Sequence, residues 1–128
     1  MMDENNILLR LKNVLKKLLA ANPDILVATI TSMEGLPIIS IIPQRYEESK
    51  ISAMVATLLS LSERVVVEME IGVFNQLHIK GDDGFLLVFD AEPAVLAVST
   101  TSYAKLGLII FECERASRKI MDILKGKK

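Results

Sequence analysis

Residues 49–71 have the spacing of a long amphipathic helix with more apolar surface than one neighbouring layer needs. At about 100° per residue, its core-facing side chains fall within an arc of roughly 140°. These side chains are Ile51, Met54, Val55, Leu58, Leu59, Ser62, Val65, Val66 and Met69. Gly72 supplies the predicted C-terminal stop. Any fold for this chain must therefore cover a wide apolar helix in its middle.

A second line of side chains, the flank line, follows one side of this helix at alternating spacings of four and three residues. Its members are Lys50, Met54, Thr57, Leu61, Arg64 and Glu68. The flank line is self-complementary when the helix pairs antiparallel with its own copy about a two-fold axis near Leu59. Lys50 then meets Glu68, Met54 meets Arg64 and Thr57 meets Leu61, as a symmetric dimer requires. The alternative is an ordinary amphipathic helix that offers such a line by chance.

Periodicity and turn residues divide the rest of the chain into helices and strands. The predicted helices are 6–21 and 104–124, and the predicted strands are 25–31, 36–42, 73–80, 85–89 and 94–98. Pro23 ends the first helix, and Pro37 and Pro43 place the second strand at a sheet edge. Residues 81–84 form a tight hairpin turn. The hydroxyl side chains of residues 99–102 are predicted to cap the last helix.

This order predicts an α/β fold, a three-layer α-β-α sandwich with one five-stranded, mostly antiparallel sheet in the order α-β-β-α-β-β-β-α. We expect one domain over residues 1–128. The central helix covers one face of the sheet and the terminal helices the other. One helix covers about 10 Å, whereas five strands about 4.8 Å apart span roughly 20 Å. A second copy of the helix would cover the remaining apolar sheet, and paired 73–80 strands would satisfy the open edge.

Composition limits the function of the chain. Of its 128 residues 51% are hydrophobic but only 5% are aromatic, which indicates an aliphatic core. A formal net charge of -1 argues against a nucleic-acid surface. The apolar runs are too short to insert in a membrane, and the acidic N-terminus does not resemble a signal peptide. With Cys113 as the one cysteine, no internal disulfide can form, and we expect a cytoplasmic protein.

The sequence offers few residues for catalysis. His78 and Cys113 are the single histidine and cysteine, so no recognised metal-ligand spacing occurs. The Asp82-Asp83 pair lies between two glycines and is typical of a turn. Neither phosphate-cradling GxxxxGK[ST] nor dinucleotide GxGxxG is present. We therefore expect a non-enzymatic protein without a cofactor or metal, and predict that it does not bind a nucleotide itself.

One predicted surface is suited to a protein partner. The outward side of the central helix is small and lightly charged, and close contact is possible there. Its residues are Ala53, Ala56, Ser60 and Val67. Leu108 and Phe111 also fall off the inner stripe of the last helix. The alternative is that these are isolated exposed apolar side chains, which are normal on protein surfaces.

Four segments in order resemble the Roadblock family, the dynein light-chain roadblock type with bacterial and archaeal relatives. They are ILVATITSMEGLPIIS at 25–40, ISAMVATLLSLSERV at 51–65, QLHIKGDDGFLLVF at 76–89 and LGLIIFECERASRKI at 106–120. No single segment is specific, but their order and spacing together are. The resemblance covers nearly the whole chain.

The resemblance implies a homodimer in which central helices and third strands pair antiparallel. Its interface would comprise the flank line with Phe74, Gln76 and His78. The resemblance also implies a non-enzymatic platform that binds or regulates a small Ras-like GTPase, in some relatives by stimulating GTP hydrolysis on the partner. Two alternatives are a structural light-chain-like adaptor without nucleotide dependence and a sensor that holds a small ligand.

Overall fold

A computed structural model describes residues 4–126 and contains three helices and five strands within that range. The helices are α1 (Glu4–Ala21), α2 (Glu48–Glu68) and α3 (Leu106–Leu124), and the strands are β1 (Ile25–Ser32), β2 (Pro37–Ile41), β3 (Gln76–Gly81), β4 (Gly84–Ala91) and β5 (Ala94–Thr101). This is the predicted α-β-β-α-β-β-β-α order. Each predicted element is present, with ends that differ by a few residues.

The five strands form one antiparallel sheet in the order β2-β1-β5-β4-β3. β2 and β3 are its two edges, as Pro37 and Pro43 in the predicted second strand and the half-polar pattern of β3 predict. β3 and β4 form a hairpin in which Gly81 pairs with Gly84 across the Asp82-Asp83 turn. The apolar strands β4 and β5 lie inside the sheet, so their side chains are covered on both faces.

The two faces of the sheet carry separate apolar cores. α1 and α3 cover one face, where Leu11, Leu15, Leu96 and Ile120 are fully buried. The opposite face carries α2 and a smaller core of Val55, Leu59, Phe74, Val88, Val95 and Ala97. Two helices therefore cover one face and a single helix covers the other, which confirms the predicted layers.

The buried side of α2 is rotated from the predicted one. Met54, Val65 and Met69 were expected in the core, but they are 51%, 46% and 67% exposed. The residues that are buried instead are Ser52, Val55, Ala56 and Leu59. Ser52 is buried because its hydroxyl accepts a hydrogen bond of 3.1 Å from the Thr31 hydroxyl of β1, and a hydrophobicity pattern does not reveal such a pair.

The small residues of α2 match a close approach by the β1–β2 turn. Gly35 has φ +93°, and a Cβ there would lie 3.3 Å from the Cα of Ala53 and 3.4 Å from the Cβ of Ala56. Glycine fits this position because it has no side chain to collide with α2 and because it adopts positive φ readily. The prediction that Ala56 faces outward is wrong, because its side chain packs beneath this turn and is 8% exposed.

α2 ends at Glu68, before the predicted stop at Gly72. Glu70 takes the left-handed conformation with φ 58°, and its amide donates to the Val67 carbonyl oxygen at 3.1 Å. The next amide, of Ile71, donates to the Val66 carbonyl oxygen at 2.9 Å. This pair of bonds is a Schellman motif, in which the left-handed residue is usually glycine.

Replacing Glu70 with glycine is therefore expected to stabilise the chain. A non-glycine residue in the left-handed region costs roughly 1 kcal/mol, and glycine removes that cost. The same substitution at the exposed helical residue Glu63 should instead destabilise by about 1 kcal/mol. Chemical denaturation of both variants measures these opposite shifts, and a loss of stability in Glu70→Gly would contradict this description of the helix end.

The hydroxyl groups of residues 99–102 do not cap α3, so that prediction is wrong. β5 continues through Thr101, and α3 begins at Leu106 after an N-cap, Lys105, that makes no side-chain capping bond. The Thr101 hydroxyl donates to the Asp24 carboxylate at 3.0 Å, and the Thr101 amide donates to the Asp24 carbonyl oxygen at 2.9 Å. These bonds fasten the end of β5 to the α1–β1 connection.

Candidate functional site: the open flank of α2 and the edge strand β3

An exposed row of apolar side chains, the apolar row, follows the α2 flank beside the buried residues. It consists of Met54, Leu58, Leu61 and Val65, spaced four, three and four residues apart. Leu58 is half-buried, while the other three side chains are 46–55% exposed. Such spacing places four apolar side chains along one line of a helix. No described residue of this chain covers the line.

The apolar row is also self-complementary. A two-fold axis between Leu59 and Ser60 would set Met54 against Val65 of the partner subunit and Leu58 against Leu61 of the partner subunit. The apolar row differs from the flank line because it contains Leu58 and Val65, whereas the flank line contains Thr57 and Arg64. Met54 and Leu61 belong to both.

The remaining flank-line residues lie on the solvent side of the apolar row. Lys50, Thr57, Arg64 and Glu68 are all exposed. The Thr57 hydroxyl donates to the Ala53 carbonyl oxygen at 2.9 Å, within its own helix. Its bonding is thereby satisfied, so Thr57 can contact another chain through its methyl group.

Apolar side chains of the sheet continue this surface toward β3. Within the apolar row, Leu61 also lines the cleft beside the β1–β2 turn, whereas Met54, Leu58 and Val65 do not line that cleft. Leu77 and Leu86 are half-buried against the α2-side core. Ile79 pairs with Leu86 and is 41% exposed. The predicted gap beside the central helix is therefore lined by apolar side chains.

The three residues of the predicted strand 73–80 that were assigned to the interface have different positions. Phe74 precedes the strand and is 5% exposed within the α2-side core, so it offers little surface for the interface predicted to contain it. The Gln76 amide donates to the Glu114 carboxylate at 2.8 Å, and its oxygen lies 2.7 Å from His78 Nε2. Gln76 and His78 thus lie on the α3 side of the free edge, where they can meet a second strand.

The predicted partner surface adjoins a shallow cleft. Ala53, Ala56 and Ser60 line a cleft of about 460 Å³ between α2 and the β1–β2 turn, with Glu34 at its other side. Val67 lies outside the lining and is 67% exposed. Ala53 and Ala56 of this lining are also the residues that Gly35 approaches.

Cys113 is buried in the α1/α3 core and is not suited to be a nucleophile. Burial raises the pKa of its thiol from 9.0 to about 12, with smaller contributions from Glu112 and Glu114. At neutral pH the reactive thiolate is therefore suppressed. Within residues 4–126, no group of three or more His, Cys, Asp or Glu side chains is arranged to hold a metal ion.

Thiol labelling should be much slower in the folded chain than in the unfolded one. With the pKa of Cys113 raised to about 12, we expect a disulfide reagent at pH 8 to react at least about 100-fold more slowly than in guanidinium chloride. Because the unfolded thiol loses its proton first, this group also lowers stability as the pH rises from 9.0 toward 12. Rapid stoichiometric labelling of the native chain would contradict this placement of Cys113.

The order of elements around one antiparallel sheet defines a roadblock-type α-β-α sandwich. The sequence profile of the Roadblock/LC7 domain matches residues 11–100. The chain belongs to the Roadblock/LC7 family. It is also 32% identical, over 91 residues, to the uncharacterized protein MJ1340 of Methanocaldococcus jannaschii, in a match that covers 71% of this chain and 80% of that protein.

Two solved structures share the fold. Myxococcus xanthus MglB superposes with a TM-score of 0.86 at 17% identity, covering 98% of this chain and 94% of that one. The Roadblock/LC7 domain from Streptomyces avermitilis superposes with a TM-score of 0.79 at 20% identity, covering 86% and 93%. No helix within the described part of the chain has the length and apolar character to cross a membrane.

Proposed function

We propose that this chain is a homodimeric, non-enzymatic platform that binds a small Ras-like GTPase and modulates its GTP hydrolysis. The observation that carries the proposal is the open apolar row of α2 beside the unpaired edge of β3. Membership of the Roadblock/LC7 family supports this kind of partner, since the family resemblance implies a platform for small Ras-like GTPases.

Pairing of two copies resolves both exposed features at once. Antiparallel β3 strands extend the sheet across the two chains and satisfy the open ladder. The same two-fold axis brings the apolar rows of the two α2 helices together, so that Leu58 and Leu61 are covered. The two sheets and two α2 helices then form one continuous surface, which is broad enough for a globular partner.

GTPase binding is assigned to the solvent side of the paired α2 helices. Val67 and Ala53 are exposed there and are not needed for the apolar row. Arg64 is also exposed and lines the neighbouring cleft. It belongs to the GTPase-facing side once the apolar row, rather than the flank line, forms the dimer seam.

The test is binding of the purified chain to the small Ras-like GTPases of its source genome, loaded with GDP or with a slowly hydrolysed GTP analogue. We expect at least about fivefold tighter binding to one nucleotide state, as a coupled equilibrium gives. Val67→Glu should weaken this binding, whereas the matched Leu9→Glu, on an exposed residue of α1, should not.

The structural adaptor remains the second candidate. It predicts binding to a protein partner with the same affinity in either nucleotide state and no change in hydrolysis rate. Equal affinities for the two states would overturn the regulator and favour the adaptor. Dimerisation would be unaffected by that outcome, because it depends on the apolar row and β3 alone.

A further inference from the structure

A second surface lies on the opposite side of the sheet, between the two helices that cover that face. α1 and α3 border a groove of about 540 Å³. They run antiparallel there, since Asn22 at the end of α1 donates to the Glu112 carboxylate near the start of α3 at 2.7 Å. Pairing through α2 and β3 would leave this groove open.

The rim of the groove is basic. Arg10 and Lys17 of α1 face Arg115 and Lys119 of α3 across it. Glu112 is the one carboxylate in the lining, and it already accepts the hydrogen bond from Asn22. The groove therefore concentrates positive charge on both sides in a chain whose formal net charge is -1, which attracts and orients anionic groups.

The floor of the groove is apolar. Leu18, Ala116 and Ile123 are 5%, 9% and 3% exposed and lie between the two basic rims. A flat lipid surface would meet the rims but could not reach this floor. An amphipathic helix can fill such a groove, with its apolar stripe on the floor and acidic side chains beneath both rims.

We propose that the groove between α1 and α3 binds an acidic amphipathic helix of a partner protein. The helix would place carboxylates near Arg10 and Lys17 on one side and near Arg115 and Lys119 on the other. A helix of about 16 residues extends roughly 24 Å, which is comparable to the length of α3. This site is separate from the proposed GTPase surface, so one chain could hold both partners.

The probe is a display library of helical peptides of about 16 residues. The library is selected for binding to the intact chain. Enriched peptides are then synthesised, and their affinity is measured by fluorescence anisotropy. We expect enriched peptides to carry Glu or Asp on both flanks of an apolar stripe. Their affinity should fall as salt is raised from about 0.1 M to about 1 M, since the screening length shortens from about 10 Å to 3 Å.

Two double variants distinguish the groove from general charge attraction. Lys17→Glu with Arg115→Glu reverses both rims, and we expect at least tenfold weaker peptide binding. Lys16→Glu with Arg118→Glu makes the same change in net charge on the same two helices, at exposed residues outside the groove, and should leave binding within about twofold. Thermal unfolding of both variants checks that each remains folded.

Several outcomes would overturn the proposal. Equal losses in the two double variants would mean that binding follows net charge alone. Enriched peptides without an excess of Glu and Asp would contradict the proposed recognition of acidic side chains by the basic rims. Binding to vesicles that contain phosphatidylserine, or to duplex DNA, with no binding of acidic peptides, would assign the basic rims to another class of ligand. None of these measurements involves a GTPase, so failure here leaves the proposed function untouched.

Discussion

Leu61→Arg is expected to convert the proposed dimer into monomers. Leu61 is 55% exposed in the single chain, so arginine there costs the monomer little. In the dimer, the two-fold axis places two such charges at the helix seam without partners. Breaking an interface in this way costs about 3 kcal/mol or more, which raises the dimer dissociation constant at least roughly 100-fold. Sedimentation of wild type and variant measures the change.

A matched pair of variants then identifies the seam. Val65→Glu alters the apolar row, and Arg64→Glu alters the flank line one residue away. Both residues are exposed in the monomer, so neither change should unfold the chain. We expect Val65→Glu to dissociate the dimer and Arg64→Glu to leave it intact. The reverse result would restore the flank line as the interface, and dimers in both variants would place the interface elsewhere.

Gly84→Ala is expected to cause a large loss of stability through a clash in the β3–β4 hairpin. A Cβ at Gly84 would overlap the carbonyl oxygen of Thr100 and lie 3.2 Å from its carbonyl carbon. These are backbone atoms of the central strand β5 and cannot move without disrupting the β4–β5 ladder. We expect a loss of about 3 kcal/mol, or a Tm lower by roughly 10 °C.

Gly81→Ala is the control, because it removes a glycine from the same turn. Its Cβ would meet only the Gly84 carbonyl oxygen, at an ordinary distance of 3.8 Å. Both changes reduce the freedom of the unfolded chain equally, so their difference isolates the clash. Calorimetry should show Gly81→Ala within about 1 kcal/mol of the wild type. Equal Tm values for the two variants would contradict the placement of Gly84 against β5.

Periodicity and turn residues were sufficient to predict the layers and element order of this fold. The apolar runs in β4 and β5 require cover on both faces, and Pro37 at the start of β2 with Pro43 after its end excludes β2 from the sheet centre. One helix is too narrow to cover a five-stranded sheet, so the exposed apolar surface beside α2 could also be predicted from the sequence. The predictions of these features depend on patterns over many residues, so a wrong assignment of any one residue does not change them.

The details of the candidate site depended on single tertiary contacts, and the sequence does not reveal these. The Thr31–Ser52 hydrogen bond and the approach of Gly35 rotate α2, so that Val65 faces out and Ala56 faces in. Phe74 turns inward because β3 begins only at Gln76. A serine among apolar neighbours and a glycine in a turn were the available signals, but neither specifies its partner.

The molar mass in solution, measured by light scattering on a sizing column over a dilution series, tests pairing through α2 and β3 most directly. We predict twice the 14.2 kDa of one chain, maintained on dilution from about 100 µM to about 1 µM. A mass of 14.2 kDa throughout the series would contradict the paired apolar rows and leave the open flank of α2 to a different protein.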